Sequence, residues 1–187
     1  IDSFVRTLCK GGSIKRALKI DFSAGVNFSK EKFDFTVNAI SEIIATFWKN
    51  RITLVKFGRL FSKNFLRNIA RLEYTKTLED VAKTVSKPLL VLGAGEGLDT
   101  LSYSSFSPND FFIITVDAAL SPLLARNITP DAVVTMESQI AIEKTFLGAK
   151  NKNILLFADL CARPEATKIL GGNIIWFATK YADGIFF

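Results

Sequence analysis

The chain of 187 residues contains no histidine, and only two cysteines, one methionine and five prolines. Each shortage excludes something. Without histidine there is no imidazole to act as the commonest general base or metal ligand. Cys9 and Cys161 lie far apart and have no cysteine neighbours, so no zinc site is expected and both read as buried or half-buried free thiols of a reducing compartment. No apolar run approaches the roughly 20 residues that span a bilayer, so no transmembrane segment is expected and the chain reads as cytoplasmic. The opening "IDSFVRTLCK" has neither an initiator methionine nor a signal-peptide core, and the closing "DGIFF" reads as an interrupted strand. The chain is therefore expected to be a piece of a longer protein, truncated at its C-terminus.

What is present suits a folded globule: 49% of residues are hydrophobic and 22% charged. The charge is uneven. Residues 1–85 carry 16 Lys and Arg against 8 Asp and Glu, a net of +8, whereas residues 86–187 carry 8 against 10, a net of −2. Hydrophobic period changes at the same place. From about Phe33 to Leu72 apolar residues recur at helical spacing, with Leu54, Phe57, Phe61, Phe65, Ile69 and Leu72 along one face. Arg59, Lys63, Arg67 and Arg71 step by four on another face, either as an ordinary solvated stripe or as a docking surface for phosphate, acidic protein or lipid headgroups. Nucleic acid fits poorly, because the aromatics share the apolar face instead of interleaving with the cations.

After Pro88, short apolar runs (residues 88–92, 111–116, 132–136, 153–157 and 173–178) alternate with helix-like segments. Nearly continuous apolar runs are the mark of strands buried on both faces of a parallel sheet. The expected fold is α/β, a doubly wound, mostly parallel Rossmann-like sheet over residues 86–187, preceded by a basic, mainly helical segment over residues 1–85. The junction falls near residues 83–87. Met136 and the aromatics at 111 and 112 read as core, and Ser121-Pro122 and Arg163-Pro164 as helix starts with proline in the first turn.

In such a sheet, ligands bind where loops leave the carboxyl ends of the strands. The stretch "VLGAGEGLD" (residues 91–99) places Gly93, Gly95 and Gly97 at the end of the first strand, running into a helix near Leu98. Small residues there let backbone amides approach a phosphate or ribose. Asp117 closes the second strand and Glu137 the third, so the three should converge on one edge. For Asp117 a second reading is the N-cap of the following helix. Asp131, after Pro130 at a strand start, reads as a turn residue. The spacing is G-x-G-x-G and not G-x-G-x-x-G, which weakens a dinucleotide dehydrogenase. A strand, the glycine turn and then an acid closing the next strand also fit an S-adenosylmethionine-dependent methyltransferase. The interval from Asp117 to Asp131 is short for that pattern.

The runs "KPLLVLGAGEGLDTL" and "FIITVDAALSPLLARNITPDAVVTMES" together resemble the motility-associated factor (Maf) flagellin glycosyltransferases and the related hydroxymethyldihydropterin pyrophosphokinase (MptE)-like family. The matching positions are Gly93, Gly95, Leu98, Asp117, Ala118, Ala119, Leu120, Ile128, Pro130, Asp131 and Glu137. Two depart from the pattern: Glu96-Gly97 stands where Pro-Ser is common, and Glu137 stands for an aspartate. The resemblance implies a bacterial transferase moving a nonulosonic, sialic-acid-like sugar from a CMP-activated donor to Ser or Thr of flagellin. It implies nucleotide contacts at Gly93, Ala94, Gly95, Glu96, Gly97, Asp117 and Ala118, with Asp117 and Glu137 as catalytic groups. The alternatives are an ATP-dependent pterin pyrophosphokinase with Mg2+ held by Asp117 and Glu137, the methyltransferase, and a non-catalytic module whose basic helix docks on a flagellar or secretion partner.

Overall fold

The computed structural model describes residues 2–10, 14–20, 24–72, 77–100, 107–150, 152–170 and 173–179. They form two compact units, Ile1–Gly58 and Arg59–Phe187. That division falls inside a helix, whereas the break in composition lies near residues 83–87.

In the first unit, α1 (Asp2–Lys10) precedes the long helix α2 (Lys30–Ile69), which continues past the unit boundary. Val5 and Cys9 of α1 and Ile44 of α2 form a small core, with Ile14, Ile40, Ile43, Phe47 and Trp48 packed around it. Residues 14–20 run back along α2. The Trp48 indole N–H donates to the Ile14 carbonyl at 2.7 Å, and Lys19 meets Asp34 at 2.6 Å. Fourteen helical residues rise about 21 Å, a length that five residues approach only when nearly extended, so this segment is a strap and not a helix.

The second unit contains five strands: β1 (Leu89–Leu92), β2 (Phe112–Val116), β3 (Ala132–Thr135), β4 (Leu155–Asp159) and β5 (Ile174–Phe177). All pair in parallel, in the order β1-β2-β3-β4-β5. Short helices α3 (Leu78–Ala82), α4 (Gly97–Thr100), α5 (Asp117–Ala125) and α6 (Pro164–Ile169), with a 3-10 segment at Ile140–Phe146, make the connections. The α/β class expected from the apolar runs is what forms. The doubly wound order is not seen among the described strands, because each strand pairs with its chain neighbour and nowhere does the order reverse.

Strand alternation and register sort the side chains into two faces. Leu92, Ile113, Val133, Leu156, Ala158 and Ile174 point to one face. There they bury against Ala119, Leu120 and Leu123 of α5, Ile142 and Phe146 of the 3-10 segment, and Ala166 of α6. Consecutive crossovers between adjacent parallel strands share a hand, so they stack on one side. The opposite face carries Leu89 and Val91 of β1, Ile114 and Val116 of β2 and Val134 of β3. Leu89 and Val91 there are 60% and 70% exposed.

Several local expectations change. The helix after β2 begins at Asp117, with Val116 as its cap, so Pro122 lies inside α5 instead of starting it. Pro164 does open α6, as expected. Residues 140–146 form a 3-10 helix. Met136 is half exposed, not core, and Phe111 and Phe112 are only half-buried. The helix expected after the glycine turn is four residues long where described, and residues 101–106 lie outside the described residues.

Candidate functional site at the carboxyl edge

The ends of β1, β2 and β3 carry the residues singled out in the sequence. Val91, Leu92, Gly93, Gly95, Gly97 and Leu98 line a cleft of about 310 Å3. Leu98 anchors the turn by burying its side chain, and its N–H donates to Gly95 O at 2.9 Å, so that amide is engaged internally. None of the three glycines has a positive φ, and a Cβ added to any of them would meet nothing within 4 Å. The folded chain itself thus places no steric demand for glycine at these positions.

Val116, Asp117, Val134, Met136 and Glu137 line a second cleft, of about 320 Å3. The two acids come from separate strand ends, 20 residues apart in sequence, and the parallel pairing of β2 with β3 brings them to one opening. Asp117 is the first helical residue of α5 and not its cap. Its Oδ1 accepts from the Ala118 N–H and its Oδ2 from the Thr135 hydroxyl, both at 2.7 Å. Glu137 Oε1 accepts from the Gln139 N–H at 2.8 Å, and the Glu137 carbonyl accepts from the Arg163 N–H at 2.9 Å. Both carboxylates are held by donors while remaining half-exposed, so each still faces solvent. Glu96 and Ala118 are exposed at the same edge, as is Ala94. Asp131 lies at the other end of the sheet. Its Oδ2 accepts from the Ile113 N–H at 2.7 Å, a structural bond between β2 and β3.

Three features were not singled out in the sequence. Thr135, 1% exposed, fixes Asp117 from the neighbouring strand. Asp159, 2% exposed at the end of β4, accepts from the Cys161 and Thr179 N–H groups. Most consequential are Asn64 and Asn68, both fully buried on α2. The Asn64 side-chain amide donates to the carbonyls of Ser138 and Cys161, and that of Asn68 to those of Leu160 and Ala162. They tie the helix to the loops leaving β3 and β4. The readable signal was two asparagines one turn apart on a helix whose neighbouring positions are apolar or basic.

The basic stripe is partly consumed by this packing. Arg67 pairs with Glu165, and Arg71 donates to the Thr167 hydroxyl at 2.7 Å. Arg163 joins Glu143 and Glu165 at 2.7 and 2.8 Å. Arg59 and Lys63 remain exposed. Burial pushes the Cys161 thiol up to about 12, assisted by the Asp159 charge, so it is no nucleophile at neutral pH. Among the described residues no helix is long and apolar enough to cross a membrane, and no three His, Cys, Asp or Glu side chains cluster as a metal site.

Fold and edge together define an α/β protein in which a glycine turn and two acids share the carboxyl edge of a parallel sheet. Residues 63–185 match the family described as 6-hydroxymethylpterin diphosphokinase MptE-like, and the chain belongs to that family. It is also similar to two proteins of Treponema pallidum (strain Nichols), each described as an uncharacterized protein. One is 36% identical over 175 residues, covering 92% of this chain and 30% of the relative. The other is 27% identical over 139 residues, covering 74% and 28%. The chain thus spans less than a third of the curated relatives it matches. No solved structure matches it.

Proposed function

We propose that this edge binds the nucleotide of an activated donor, and that the chain is the donor-binding part of a transferase. One observation carries the reading: Asp117 and Glu137, chosen separately from the sequence, line one cleft on the strand edge where the glycine turn lines another. Glycines that the fold does not require are accounted for by a ligand that does. Exposed turn amides at Gly93, Ala94 and Gly95 would meet the nucleotide phosphate. Asp117, already oriented by Thr135 and the Ala118 N–H, would accept from ribose hydroxyls.

The donor that fits the resemblance to the Maf transferases is a CMP-activated nonulosonic sugar, and the acceptor a Ser or Thr hydroxyl of flagellin or a similar protein. The bond between the anomeric carbon and the CMP phosphate oxygen breaks, and its electron pair leaves with CMP. The acceptor oxygen bonds the anomeric carbon, and its proton passes to Glu137. The protein supplies position and electrostatic stabilisation of the leaving phosphate.

The family description favours a second reading, diphosphoryl transfer from ATP to a pterin alcohol. Asp117 and Glu137 each retain free lone pairs toward their shared cleft, so they fit a magnesium ion held by one or two carboxylates and substrate phosphates. Isothermal titration calorimetry with CMP, ATP and S-adenosylmethionine separates the readings. CMP binding that Asp117→Ala removes is the expected result. ATP binding that requires Mg2+ selects the second reading, and failure of all three ligands leaves a non-catalytic module.

A further inference from the structure

The strands of a purely parallel sheet are buried on both faces, because their backbone runs are apolar on both. Here α5, the 3-10 segment and α6 cover one face. On the other, among the described residues, exposure runs along β1 and past the ends of β2 and β3: Leu89 is 60% exposed, Val91 70%, Val116 38% and Met136 53%, with Ile114 and Val134 half-buried between them. Toward β4 and β5 the same face closes, with Ile175 only 6% exposed. At the amino ends of the strands Val81 of α3 stands with Phe112 and Leu155 beside a small cleft. The exposure is therefore local to one strip.

The strip has the dimensions of one helix. Three strands span about 10 Å, close to the diameter of a helix with its side chains. Its upper rim is acidic, with Glu96, Asp117 and Glu137 following one another along the strand ends. It is also the floor of both ligand clefts, Val91 under the glycine turn and Val116, Val134 and Met136 beside the two acids.

We propose that the strip is the seat of an amphipathic helix with a basic polar face, which completes the second layer of the sheet and walls the two open clefts. Its apolar stripe would cover Leu89, Val91, Val116 and Met136, and its cations would face Glu96, Asp117 and Glu137. The Treponema relatives extend well beyond the stretch they share with this chain and have residues enough to supply such a helix. The inference does not depend on which nucleotide binds, so helix docking and ligand binding can fail separately.

The test uses this chain with a fluorescein-labelled Leu/Lys peptide of about 18 residues, designed as an amphipathic helix, in fluorescence anisotropy. Saturable binding is expected. It should weaken by roughly tenfold or more for a scrambled peptide, for a Leu/Glu counterpart at low salt, and for the Val91→Asp/Met136→Asp chain. Both replaced side chains are more than half exposed, so the variant should stay folded. Val91→Thr/Met136→Gln gives a milder second variant, and circular dichroism checks both. No saturable binding, or equal binding to the double variants, overturns the proposal. So does a dimer in light scattering that the double variants dissolve, since the strip would then belong to a second copy.

Discussion

Thr135 donates its hydroxyl hydrogen to Asp117 Oδ2 across 2.7 Å, joining the last residue of β3 to the first of α5. Asp117 therefore does not choose its orientation alone. The Ala118 N–H holds one oxygen and the adjacent strand holds the other, so the fold itself sets the orientation of the carboxylate. Thr135→Val should cost about 1 kcal/mol of stability and weaken nucleotide binding roughly fivefold. Thr135→Ser should restore most of the binding. Thermal melts and calorimetry on the same preparations measure the two effects.

Gly95→Ala separates folding from binding. The new methyl group meets nothing within 4 Å and the backbone needs no positive φ, so stability should hold or rise by up to about 1 kcal/mol through the unfolded state. Binding of the nucleotide should fall, because the methyl group stands in the cleft that the turn lines. Unchanged affinity would mean that the ligand does not approach this turn.

Asn64→Leu and Asn68→Leu test the ties between α2 and the β3 and β4 loops. Each removes two donors and leaves two carbonyls short of a partner. A loss of about 2–4 kcal/mol is expected for each. Both residues act on the loop at 160–162, so the double variant should lose less than the sum. Urea unfolding followed by tryptophan fluorescence provides the measurement.

The thiols give a pH prediction. Cys161 ionises at about 12 in the folded chain, against an ordinary 9.0, through burial and then the Asp159 charge. The unfolded chain therefore releases this proton first as pH rises. The contribution is fully present below 9.0 and is lost as pH climbs from there toward about 12. Cys9 and Cys161 are both buried free thiols, so Ellman's reagent near neutral pH should react with neither until denaturant is added.

Glu165 behaves in the opposite sense. Burial raises its pKa, but the Arg67 hydrogen bond and the Arg163 and Arg67 charges outweigh that and hold it below the ordinary 4.5. Its stabilisation is present above 4.5 and is lost as pH falls through the lowered value. Glu165→Gln should flatten the fall in urea midpoint between about pH 5 and pH 3.

Strands were the most legible part of the fold, since short, nearly continuous apolar runs such as "FFIITV" and "NILLF" are the pattern of a parallel sheet. Their order was not legible. Apolar content marks a strand but not which neighbour lies beside it, and among the described strands the expected reversal is absent from the sequential order. The placement of Gly93, Gly95, Asp117 and Glu137 on one edge was readable because successive parallel strands bring their carboxyl ends together. Thr135 was hidden inside its strand, and Asn64 and Asn68 among helical neighbours, because their roles depend on partners 18 to 97 residues away. Met136 was misread since an apolar residue at a strand end carries no sign of whether a layer lies above it.

Pairing each ribbon only with the one made just before it has a kinetic consequence. The sheet can grow by accretion, with β2 docking on β1, β3 on β2 and so on, as the polypeptide emerges from the ribosome. Among the described strands none must wait for a distant partner, so closure distances between them stay short and their assembly should be fast for a parallel architecture.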